Sequence, residues 1–204
     1  NLRFYLRPGG EAADSVLAAR DGEAVRIAGP IAHGFPLEPV VGKDLVFVGV
    51  GTGVAPLRSA LVEALTTRER YGRLVMVMGA ANPAALCCAE EFDSWRAAGV
   101  ELALTVDEAV EALPERSAPV KRLGVLQRVG LGYLTLGQPL AMLSGGEAQR
   151  LKIAHHLGTA KTKNALFLLD EPTTCLHLHD VDRLIENLRA LAEAGNTVLV
   201  VEHH

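Results

Sequence analysis

Five apolar runs of strand length, LVFVGV (Leu45–Val50), LVMVM (Leu74–Met78), VELALTV (Val100–Val106), ALFLL (Ala165–Leu169) and TVLVV (Thr197–Val201), constrain this 204-residue chain most. Helical patterns stand between them, at Pro56–Thr67, Ala89–Ala98, Val125–Leu134, Gly146–Leu157 and Asp180–Ala194. Strand-length runs alternating with helices predict βαβ units, and so an α/β fold whose mostly parallel sheet is flanked by helices. Ahead of them, Arg3–Arg7 alternates as an edge strand does. A short helix, an Asp21-Gly22 turn and a second strand before Gly29-Pro30 complete a piece resembling the tail of a small β-barrel. The sequence EAVEALPERSAPVK (108–121) holds charge and two prolines without a strand pattern, and reads as a linker or junction. The predicted organisation is therefore 1–40, 41–107, a junction at 108–121, and 122–204.

Bulk composition narrows the function classes. Hydrophobic residues make up 49% and charged residues 22%, as in ordinary globular proteins. A net charge of -4 provides no global field for nucleic acid, so direct DNA binding by this chain is not expected. Cys87, Cys88 and Cys175 lack CxxC spacing, which predicts a reducing compartment and no structural metal. Cys87 and Cys88 read as core-side or helix-start residues. With neither a signal peptide nor an apolar run long enough for a bilayer, the expectation is a cytoplasmic protein without membrane contact. The first residue is Asn1 rather than Met, which suggests a fragment, a processed product or an engineered piece.

Two stretches carry chemistry. The first is Gly51-Thr52-Gly53, between a strand and a helix, where amides without a Cβ in the way and a helix N-terminus suit a pyrophosphate. Around it, RPGGEA, VRIAGPIAHGFPL, FVGVGTGVAPLRS, VMVMGAANPAALCCAEEFDSW and VELALTVD together resemble the ferredoxin-NADP reductase superfamily over about residues 2–107. The resemblance implies the end of a flavin-type barrel followed by a pyridine-nucleotide domain, with Gly51, Thr52, Gly53, Ala55 and Pro56 in the nucleotide-binding turn. There the family passes a hydride between nicotinamide and flavin. Asp14 or Ser15 stands near the family's pyrophosphate-contacting hydroxyl, and an aspartate there repels phosphate, which argues against FAD. Ala80-Ala81-Asn82 offers no cation for a 2′-phosphate, which favours NAD over NADP. His33 reads as a solvated loop residue.

The second stretch begins at LSGGEAQR (Leu143–Arg150). Ser144 is placed to cap the helix that follows, and Ser144, Gly145 and Gly146 can meet an anion there. LFLLDEP (Leu166–Pro172) brings Asp170 and Glu171 to the end of a buried strand, where one carboxylate can hold Mg²⁺ and the other orient water. VEHH then places His203 at the end of the next strand. In this order, from about Leu123 to His204, the sequence resembles the C-terminal ABC ATPase domain of the UvrA family, the damage-sensing excinuclease components of nucleotide excision repair. That resemblance implies a signature in Ser144, Gly145, Gly146 and Gln149, a metal ligand in Asp170, a general base in Glu171, a further loop in Thr173 and Thr174, and a γ-phosphate-sensing His203. Cys175 replaces the family's glycine, and strain is expected there if the turn has φ > 0. His155, His156, His177 and His179 read as surface or packing residues.

No GxxxxGK[ST] phosphate loop occurs in the 204 residues. ATP with Mg²⁺ is thus expected only where a partner supplies that loop, in a homo- or hetero-oligomer whose signature acts in trans. Three expectations follow: a chimera of two incomplete α/β halves, whose strands complete one sheet; an ABC-type ATPase module; and an oxidoreductase fragment binding NAD(P)H.

Overall fold

The computed structural model describes residues 9–26, 34–159, 164–173, 176 and 178–203. The expected edge strand Arg3–Arg7, Gly29-Pro30, His33, Thr174, Cys175, His177 and the His179 side chain lie outside them. The fold is α/β, and it divides between Leu102 and Ala103 into two compact units.

The first unit opens with α1 (Glu11–Ala18), which buries none of its residues. Asp21-Gly22 forms the expected turn, with Gly22 at φ 87° and the Arg20 N–H donating to Glu23 Oε2 at 2.9 Å. Residues 23–26, expected to begin a strand, are not in one. The elements β1 (Leu45–Val50), α2 (Val54–Thr66), β2 (Leu74–Gly79), α3 (Phe92–Ala97) and β3 (Val100–Ala103) follow, with strand order β1-β2-β3. β1 and β2 run parallel, Leu45 facing Leu74 and Val50 facing Gly79. All six residues of β2 are buried, as an unbroken apolar run in a central parallel strand must be. β1 alternates instead: Leu45 and Phe47 are buried, while Val46, Val48 and Val50 are exposed. α2 buries Val54, Ala60, Leu61 and Ala64. Gly49 lets it sit close to β1, since a Cβ there would lie 2.8 Å from Leu57 Cδ1 and 3.1 Å from Val54 Cγ2.

In the second unit, α4 (Val106–Ala112) starts where the last N-terminal strand was expected to continue. Thr105 ends that strand by capping α4: the Glu108 N–H donates to Thr105 Oγ1 at 3.3 Å, and the Thr105 N–H to Glu108 Oε2 at 2.9 Å. Residues 108–121, read as a junction, hold most of α4 and the start of α5 (Ala118–Arg128), which Ser117 caps. Then come α6 (Gly145–Thr159), β4 (Leu166–Asp170), α7 (Leu178–Glu193) and β5 (Thr197–Val201). Val106, Val129, Leu131, Ile153, Leu169 and Leu184 belong to one buried core. β4 and β5 pair in parallel, Leu168 facing Leu199 and Asp170 facing Val201. Buried Asn196 joins the turn before β5 to both sides, its amide donating to Leu191 O at 2.9 Å and its Oδ1 accepting from Ala165 N–H at 3.1 Å.

The expectation of one merged sheet is corrected: the described strands form a three-stranded and a two-stranded sheet. In the smaller sheet Leu169 points into the core, whereas Leu166, Leu168, Leu199 and Val201 on the opposite face are exposed.

Candidate functional sites

The glycine turn lies where β1 meets α2. Gly51, Thr52 and Gly53 form a tight 3₁₀ turn running directly into the helix, so that α2 starts before Pro56. Gly51 has φ 54°, a left-handed backbone natural to glycine. A Cβ built on Gly51 or Gly53 meets nothing within 4 Å among the described residues. Thr52, Gly53 and Pro56 are exposed and Ala55 half-buried. The turn thus stands, accessible among the described residues, at the N-terminus of a thirteen-residue helix.

One contact to this turn carries no local signal in the sequence. The Cys87 thiol donates to Gly51 O at 3.2 Å, and burial, followed by nearby Glu90, pushes that thiol's pKa up. Arg58 of α2 donates its Nε to both oxygens of Glu91, at 2.9 and 3.0 Å. Cys88 is buried with φ 62°. Asp14 and Ser15 act locally, Asp14 Oδ1 accepting from Gly9 N–H at 3.0 Å and the Ser15 hydroxyl donating to Ala12 O at 2.9 Å. Asn82 likewise serves its own turn, accepting from Ala85 N–H at 3.0 Å.

The second site is built on the ends of β4 and β5. Parallel pairing brings Asp170 level with Val201, so the residues just beyond each strand meet. His203 Nε2 lies 2.9 Å from Glu171 Oε1, with both side chains substantially exposed. Glu171 has φ 45°, a conformation that costs an L-residue about 1–2 kcal/mol. Its N–H donates to Val201 O at 2.9 Å. Asp170 is exposed at the strand end. Among the described residues no group of three or more His, Cys, Asp or Glu is arranged as a metal site.

Through Gln149, α6 reaches this turn: Gln149 Oε1 accepts from Asp170 N–H at 3.2 Å. Next to it, fully buried Arg150 donates Nη1 to Pro172 O at 2.9 Å. Ser144 instead caps its own helix, its Oγ accepting from Glu147 N–H at 3.3 Å while Glu147 Oε2 accepts from Ser144 N–H at 2.7 Å. Tyr133 OH donates to Glu147 Oε1 at 2.6 Å. This bond, with those from Ser144, holds the Glu147 carboxyl below its usual range, whereas burial and then Glu147 push the Tyr133 phenol up. Gly145 has nothing within 4 Å of a built Cβ among the described residues. The S-x-x-E spacing of Ser144 and Glu147 signals this cap; Arg150 and Tyr133 carry no comparable signal. His156 packs edge-on against Phe167 with ring centroids 5.2 Å apart, and His155 is exposed.

Comparison with known proteins finds two kinds of similarity. The family model described as the oxidoreductase NAD-binding domain matches residues 47–125. UvrABC system protein A of Aquifex aeolicus is 52% identical over 103 residues, which is 50% of this chain and 11% of that protein. The Clostridium perfringens and Thermus thermophilus proteins of the same name are 50% and 48% identical over the same shares. This chain thus spans about a ninth of the length of these relatives. A crystal structure of UvrA2 from Deinococcus radiodurans is 51% identical, covering 50% of this chain and 12% of that one, with a TM-score of 0.43. The likeness is composite: a family-model match to NAD-binding domains of the ferredoxin reductase kind over residues 47–125, and UvrA relatives matched over half of the chain. Among the described residues no helix is long and apolar enough to cross a membrane.

Proposed function

We propose that the second unit is a UvrA-type ABC ATPase segment, joined in this chain to an NAD-binding-like segment. Asp170 would hold the Mg²⁺ of ATP, Glu171 would take the proton of the attacking water, and His203 would meet the γ-phosphate. Ser144, Gly145 and Gly146 would address a nucleotide on a facing protomer, in a homo- or hetero-oligomer. Residues outside these 204, in the same or a second polypeptide, would supply the phosphate loop. The observation that carries this reading is the 2.9 Å approach of His203 to Glu171, beside an Asp170 backbone held by Gln149 of α6. Bound ATP supplies the bond to be cleaved; the chain's own residues orient water and accept its proton.

The test is Mg²⁺-ATP turnover by the full chain, alone and mixed with a segment of a UvrA relative bearing the phosphate loop. Turnover in the mixture is expected, falling by about 10²–10⁴-fold in Glu171→Gln. A mixture without turnover, or one indifferent to Glu171→Gln, overturns the reading. Excision repair, which the resemblance to the UvrA family implies, is proposed here only as ancestry.

A second reading rests on the accessible turn of Gly51 and Gly53 and on the NAD-binding family match. It makes the first unit a pyridine-nucleotide binder without flavin. Saturable NADH fluorescence change is expected, weakened by Gly53→Val; no change up to about 1 mM NADH counts against it. A yellow purified chain would contradict the exclusion of FAD.

A further inference from the structure

We propose that Glu202 is a positioning residue for Glu171, and that Thr173 is the group through which it acts. A left-handed backbone at a residue other than glycine persists where its surroundings over-determine it, so the ties on either side of Glu171 matter. Upstream, Asp170 N–H is held by Gln149 and Glu171 N–H by Val201 O. Downstream, Pro172 has no N–H, so the next backbone donor is that of Thr173. That N–H donates to Glu202 Oε1 at 2.9 Å, and the Thr173 hydroxyl donates to the same oxygen at 2.6 Å. The second of these has the length of a charge-assisted O–H···O bond.

Glu202 and His203 are consecutive residues beyond β5, and they grip the acidic turn on opposite sides of Pro172. His203 takes the Glu171 side chain, and Glu202 takes the Thr173 backbone and hydroxyl. Without the Glu202 grip, Thr173 is released and Glu171 can relax to negative φ, swinging its carboxylate away from His203. A base that must stand in line with a water tolerates little such displacement. The catalytic half of this inference rests on the ATPase reading; the positional half does not.

Amide hydrogen exchange in the full chain, followed by NMR, reads the positional half. Glu202→Ala should speed exchange at Glu171 and Thr173 by about tenfold, with the core amides of Leu61 and Met76 unmoved. Glu202→Gln keeps an acceptor oxygen and should stay within about twofold of the parent. Thr173→Val, which loses only the hydroxyl donor, should also speed Glu171 exchange and serves if Glu202→Ala does not fold. Unchanged Glu171 exchange in the folded variants overturns the proposal, as does a Glu202→Gln that behaves like Glu202→Ala.

In the mixed ATPase assay, Glu202→Ala should lower kcat about tenfold with KM for Mg²⁺-ATP nearly constant, and Glu202→Gln should restore it. Fast exchange with undiminished kcat overturns the catalytic half. A parent chain without turnover sinks the ATPase reading, while exchange still decides the placement of Glu171.

Discussion

Gly51 and Gly53 look equivalent in GTG, yet they occupy the turn for different reasons. Gly51 has φ 54°, whereas Gly53 has φ -62° and nothing within 4 Å of a built Cβ among the described residues. Gly51→Ala should therefore cost about 1–2 kcal/mol in urea unfolding, while Gly53→Ala should be neutral or stabilise by up to about 1 kcal/mol. Equal effects would show that the turn does not need its left-handed residue. Arg150 poses a different question, because its buried Nη1 satisfies the Pro172 carbonyl. Arg150→Met should cost about 1–3 kcal/mol by leaving that acceptor without its donor, as the shift in urea midpoint would record. The placement of Asp170, Glu171 and His203 at strand ends was legible because each follows an apolar run. The contacts of Arg150 and Glu202 were not, because their partners stand 22 and 29 residues away and nothing local marks the pairing.

Strand ends were more legible than helix starts: β1 and β5 have the expected bounds, whereas α4 was not expected and α5 starts at Ala118 rather than Val125. T-x-x-E at Thr105–Glu108 was present all along and prevails over the apolar run LALTV: two reciprocal cap bonds stabilise a helix where continuing the strand would leave them unmade. The same box at Ser144–Glu147 makes α6 pH-dependent. Glu147's folded pKa is depressed, so its contribution is present above the ordinary carboxyl range and is lost as pH falls through the depressed value. Tyr133's is raised, so its share is present below the ordinary phenol range and is lost as pH rises through the raised value. Urea midpoints measured below about pH 5 should fall less steeply in Glu147→Gln than in the parent. At neutral pH Ser144→Ala should cost about 1 kcal/mol. Parallel acid limbs in parent and Glu147→Gln would remove Glu147 from the account.

Alternation of strands and helices made the α/β class readable, but periodicity within a segment says nothing about which distant segments pair. Hence a single sheet was expected where the strands form two, each in a unit with its own buried residues. Calorimetry should accordingly resolve two transitions, and NADH, on the second reading, should raise only one of them. One cooperative transition would contradict the division. The small sheet also has a colloidal consequence. Leu166, Leu168, Leu199 and Val201 form an uncovered aliphatic patch on two strands whose outer edges are unpaired among the described residues. Such a patch invites strand-on-strand stacking between molecules, so solubility rather than chemistry should limit the concentration at which this chain can be handled, and a lysine at Leu168 should raise that ceiling.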